Sequence, residues 1–102
     1  MEVRELRYFL AVAREENITR AAESLHIAQP SLSKQLMELE KKLGKKLLIR
    51  GKRKITLTEE GVLLRKRAEE ILELVEKTQQ EISSDTEDVI GDIYMGGGTP
   101  PS

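Results

Sequence analysis

Four leucines, Leu32, Leu36, Leu39 and Leu43, recur at intervals of four, three and four residues and are bracketed by Pro30 and Gly44. That spacing lines one side of an α-helix with apolar side chains. Proline belongs at the first helical position, where its missing N–H costs nothing, and glycine belongs just past the last turn. A helix is therefore expected from Pro30 to Leu43. With the leucines on one side, Pro30, Lys34, Glu38 and Lys41 fall on the other, flanked by Ser31 and Ser33. A second helical face runs from Val3 through Leu6, Phe9 and Leu10 to Ala13, ending near Glu16. Between the two, Asn17 or Thr19 can cap a short helix carrying Ala21, Ala22 and Leu25, whose small residues permit close crossing, and His26-Ile27-Ala28 is a three-residue break.

Past Gly44 the period changes. Lys46 to Arg50 and Lys54 to Leu57 are short β-prone runs joined by Gly51-Lys52-Arg53, a hairpin. Thr58 then caps a long helix with Glu59 and Glu60 in its first turn, beside the positive end of the dipole. The helix runs to about Asp85, and along it Leu64, Ala68, Ile71, Val75, Thr78 and Ile82 alternate at four and three, a coiled-coil-like seam. At 1.5 Å per residue this helix extends roughly 40 Å, more than a small globule can cover, so half of its apolar stripe needs another partner. Three divisions follow: 1–57, a compact unit; 58–88, a linker and dimerisation helix; and 89–102, a strand-like start followed by a flexible Gly/Pro tail, read as disordered.

Composition narrows the chemistry. With no Cys and one His, a disulfide framework, a thiolate zinc site and a His-rich metal site are all ruled out, and no cofactor is implied. No nucleophile–base pair or carboxylate pair appears, and Gly96-Gly97-Gly98 leads into prolines rather than a helix, so it is no phosphate cradle and no enzyme is indicated. One Phe and two Tyr cannot build a stacking platform for single strands. No apolar run is long enough to span a membrane and no signal peptide is evident, which points to a cytoplasmic protein with no membrane partner. The net charge of −1 conceals a division: residues 1–57 hold 13 Lys+Arg against 7 Asp+Glu, and residues 58–102 hold 4 against 11. Within 34–54 nine bases stand against two acids, Glu38 and Glu40, a block that suggests a polyanion partner or else a solvated charged surface.

A short helix, a tight turn and a second helix, braced by an earlier helix and followed by a basic hairpin, is a winged helix-turn-helix, here mainly α and extended by the long helix. In such units the second helix of the pair meets base edges in the major groove of duplex DNA. Gln29 can offer a bidentate amide to adenine, and Lys34 can reach guanine or phosphate; the lesser alternative is that Gln29 and the serines only cap the helix. Lys41, Lys42, Lys45 and Lys46 are open between solvent and phosphate. Arg53, beside Gly51, suits a narrow minor groove, Lys52 a phosphate, and Arg50 a phosphate or an acid. His26 is read as structural.

The stretch from Ala21 through His26-Ile27-Ala28-Gln29-Pro30-Ser31 to Leu36, with Leu39-Glu40, Leu43-Gly44, Leu47-Leu48, Arg50, Leu57-Thr58 and Gly61, resembles the N-terminal domain of LysR-type transcriptional regulators over residues 1 to about 88. Leu48 and Glu60 depart from the usual residues without touching the outward face. The resemblance implies that Gln29, Pro30, Ser33 and Lys34 contact the major groove, Arg53 the minor groove, and Thr19, Ser31 and Arg50 the backbone or neighbouring bases. It further implies a homodimer or higher homo-oligomer on an interrupted palindrome. A small-molecule inducer would bind only through a C-terminal domain missing here, which Val89 to Gly98 would begin. The competing expectation is a coiled-coil interaction module without specific DNA binding.

Overall fold

The computed structural model describes residues 1–84. The order is α1 (Val3–Glu15), α2 (Ile18–Leu25), α3 (Gln29–Leu43), β1 (Leu48–Arg50), β2 (Ile55–Leu57) and α4 (Glu59–Ser83). Met1–Leu72 forms one compact unit, so the opening turns of α4 belong with residues 1–57. The expected end of the long helix at 85–88 and the 89–102 tail lie outside the described residues.

Each helix stops or starts for a local reason. Asn17, not Thr19, caps α2, its Oδ1 accepting the Arg20 N–H at 2.8 Å. α1 and α2 end on left-handed residues, Glu16 and His26, and α3 on left-handed Gly44. The N–H of His26 returns to Glu23 O and that of Ile27 to Ala22 O, which gives the single histidine a backbone task as a helix stop. Pro30 sits one position later than expected, because Ala28 is the cap of α3 and Gln29 its first residue. Proline fits there equally well, since the first turn has no intrahelical acceptor for its N–H.

Phe9, Val12, Leu32, Leu36 and Leu39 are fully buried, and with Ala21, Ala22, Leu47, Leu48 and Ile55 they make one core from α1, α2, α3 and the hairpin. Complete burial of one such large side chain is worth about 1.5–3 kcal/mol relative to exposure. Two ends of the expected stripes fall outside this core. Leu43 is 41% exposed and Val3 is also exposed, each lying where its helix runs past the neighbours that cover the rest of the stripe.

The strands pair antiparallel with Leu48 opposite Leu57 and Arg50 opposite Ile55. Residues 46 and 47, expected in the first strand, are drawn out of the ladder by side chains. Glu40 of α3 accepts the N–H groups of Leu47 (2.7 Å) and Leu48 (3.1 Å), and Thr58 donates its hydroxyl to Lys46 O at 2.7 Å. The same Thr58 Oγ1 accepts from Gly61 N–H at 3.0 Å, so one hydroxyl joins the hairpin to the start of α4. Gly61 is buried there, and a Cβ on it would collide with the Leu47 carbonyl oxygen.

Candidate nucleic-acid interface

With Leu32, Leu36 and Leu39 committed to the core, the opposite flank of α3 is left in solvent. Gln29, Pro30, Ser31 and Lys34 are exposed and Ser33 is half-buried. Thr19 and Gln29 meet, the Thr19 hydroxyl donating to Gln29 Oε1 at 3.2 Å, so the first turns of α2 and α3 are cross-linked where both present free backbone N–H groups. Pro30, Ser33, Lys34, Met37, Glu38 and Lys41 line one shallow depression on this flank, and Met37, Glu40, Lys41, Gly44, Lys45 and Lys46 line another that shares Met37 and Lys41 with it. Lys34, Lys41, Lys45 and Lys46 make no ion pair among the described residues.

Lys42 is different. Its Nζ donates to the Glu5 carboxylate at 2.9 Å, and the Glu5 side chain is only 3% exposed. The Glu2 backbone N–H bonds the same carboxylate at 2.8 Å and, with Lys42, holds Glu5 below the ordinary carboxylate range against the opposing effect of burial. The bond to Glu5 in turn raises Lys42 above the usual lysine value. This lysine therefore ties the end of α3 to the start of α1 and is withdrawn from the set that could meet a polyanion. The hairpin presents Arg50, Lys52 and Arg53, all exposed and without an acidic partner among the described residues, while its neighbour Lys54 lies 3.9 Å from Glu16.

The expected seam of α4 divides. Ala68 is fully buried and Leu64 packs on the core of its own chain. Ile71 and Thr78 are exposed, Val75 is half-buried, and Ile82 is 80% exposed. Leu63 and Leu74, which the seam passes over, are also exposed.

Sequence reasoning missed Met37, Glu5 and Glu40. Met37 lies seven residues after Pro30, so helical spacing already places it on the outward flank. Glu5 and Glu40 act on groups brought near only by folding, and no local pattern signals them.

These features define a winged helix-turn-helix with a basic, unpaired flank on its third helix. Residues 3–62 match the bacterial regulatory helix-turn-helix proteins of the lysR family, and the chain belongs to that family. It is 47% identical over 97 residues to the HTH-type transcriptional regulator BsdA of Bacillus subtilis, covering 94% of this chain and 33% of that protein. It is 52% identical over 79 residues to the Hca operon transcriptional activator HcaR of Escherichia coli, covering 78% of this chain and 27% of that one. The chain thus spans about a quarter to a third of the length of these relatives. Among solved structures it is similar to the BenM DNA-binding domain in complex with benA site 1 DNA (TM-score 0.76, 45% identity, 78% of this chain and 93% of that one). A CbnR DNA-binding domain–DNA complex is similar too (TM-score 0.75, 42% identity, 78% and 92%). No helix among the described residues is long and apolar enough to cross a membrane.

Proposed function

We propose that this chain is the sequence-specific, duplex-DNA-binding and dimerisation part of a bacterial transcription regulator. The observation that carries the proposal is the division of α3: three leucines sealed in the core on one side, and on the other an exposed flank with unpaired lysines. In the similar solved domains, DNA is the bound partner. Gln29, Pro30, Ser33 and Lys34 take the base edges of the major groove, Arg53 takes the minor groove, and Thr19, Ser31, Arg50 and Lys52 hold phosphates or adjacent bases. Lysine and arginine contacts to phosphate supply most of the affinity, and base contacts the discrimination.

Dimerisation uses the part of the α4 stripe that its own chain leaves open: Ile71, Val75, Thr78 and Ile82 of the original seam, with Leu63 and Leu74 beside them. Two copies place their α3 helices in successive major grooves of an interrupted palindrome, about one helical turn apart. The role is that of a cytoplasmic regulator rather than an enzyme, and response to a small-molecule inducer falls to a C-terminal domain outside these 102 residues.

Titration of fluorescein-labelled duplexes, first selected from a random pool, tests this by anisotropy at moderate salt. Saturable binding of palindromic sites by dimer is the expected result. No saturable change, together with pairing of α4 to a heterologous coil, would instead make the chain an interaction module.

A further inference from the structure

Within the outward flank of α3 one long, flexible apolar side chain stands in the open. Met37 is 60% exposed and is shared by both depressions on that flank. Exposure alone decides nothing, since single apolar residues are common on protein surfaces. Position decides more. Met37 lies three residues after Lys34 and four before Lys41, one turn from each, and neither lysine makes an ion pair among the described residues. It is thus flanked by two cations without acidic partners, on a surface whose other apolar member is Pro30. Glu38, the one acid of that depression, repels phosphate, so the duplex approaches this stretch through base edges.

A thioether donates no hydrogen bond and accepts only weakly, which makes it blind to the donor–acceptor code of the major groove. Only one major-groove edge carries an apolar group, the C5 methyl of thymine. Methionine is unbranched and flexible enough to adapt to a methyl presented from a base edge. Three residues of helix advance about 4.5 Å against about 3.4 Å per base pair, so Met37 reaches a base next to the one facing Lys34.

We propose that Met37 is a specificity-determining residue that reads the C5 methyl of a thymine adjacent to the base position facing Lys34. This rests on the duplex-DNA reading above and assigns a base preference to a residue outside the polar contact set. Deoxyuridine tests it, because replacing thymine with deoxyuridine removes the methyl and leaves every hydrogen-bonding group in place. Duplexes selected by the 102-residue chain are resynthesised with each symmetric pair of thymines changed in turn to deoxyuridine, and titrated by anisotropy with the unaltered chain, Met37→Ala and Met37→Leu. At one symmetric thymine position the unaltered chain loses about fourfold in affinity per half-site, the worth of one buried methyl. Met37→Leu keeps that loss and Met37→Ala abolishes it. If every deoxyuridine step costs the unaltered chain and Met37→Ala the same, or if the selected sites hold no thymine there, Met37 is not a reader, while saturable binding still upholds the DNA function. If no duplex binds saturably, both fail together.

Discussion

The helices α3 and α4 carry the same signature in sequence, apolar residues at alternating intervals of three and four, and the fold treats them differently. In α3, Leu32, Leu36 and Leu39 are covered by α1, α2 and the hairpin. In α4 the stripe begins the same way, with Leu64 against the core and Ala68 fully buried, but further on Ile71 is exposed and Ile82 80% exposed, as is Leu74 beside the stripe. Periodicity reports that a helix has an apolar side and is silent on what covers it. The covered stripe of α3 leaves the opposite flank in solvent, where we propose that DNA binds; the open stripe of α4 is where we propose that a second copy packs.

The contrast is most exposed to failure in α4. Ile71→Asp with Val75→Asp should give a folded monomer in sedimentation velocity and weaken binding to a palindromic duplex by about 10²–10⁴-fold, the loss expected when two linked sites become independent. A surviving dimer with unchanged affinity would mean that another surface assembles the protein. In α3, Leu36→Ala should cost about 2–5 kcal/mol in urea unfolding, because it opens a cavity in a sealed core. Leu74→Ala, measured on the monomeric background, should stay within about 0.5 kcal/mol. Equal losses at the two positions would erase the distinction.

A finer test concerns the tie that holds α3 to α1. Glu5 is held low by the Glu2 N–H and by Lys42, so its contribution is complete above the unfolded carboxylate value of about 4.3 and disappears as pH falls through the lowered folded value. Lys42 is raised, so its side of the pair is complete below about 10.4 and is lost only as pH rises through the raised value. The gap in urea midpoint between the native chain and Glu5→Gln should therefore be flat from about pH 6 to 9 and close in acid. A gap as wide at pH 3 as at pH 7 would show that the carboxylate charge is not what Glu5 contributes. The smallest expected effect belongs to the hairpin: Lys52→Ala should reduce the slope of log affinity against log salt by about one, with little change in site preference.

Most of the architecture is legible in the residues because its signals are local. Leucine spacing gives α3, Asn17 and Thr58 give helix starts, Gly44 gives a stop, and Gly51 gives the hairpin turn. The misplacements come from longer-range effects. The first strand starts at Leu48 because Glu40, seven residues before Leu47, accepts the Leu47 N–H and the Thr58 hydroxyl donates to the Lys46 carbonyl. Lys42 leaves the basic set because Glu5, 37 residues earlier, is buried beside it. Val3 and Leu43 follow the apolar period but lie beyond the reach of the core. The candidate reading flank is legible on a helical wheel from Pro30, Lys34, Glu38 and Lys41, whereas Met37 shares that side but carries no strong hydrogen-bonding group to mark it.

The central claim is that the outward flank of α3 discriminates between bases, and parallel selection from one random duplex pool by the native chain and by Lys34→Ala tests it most directly. The native chain should recover an interrupted palindrome, and Lys34→Ala the same palindrome with preference relaxed by about 1–3 kcal/mol at a single symmetric base position. Recovery of no preferred sequence by the native chain, or of identical preferences by both proteins, would contradict it.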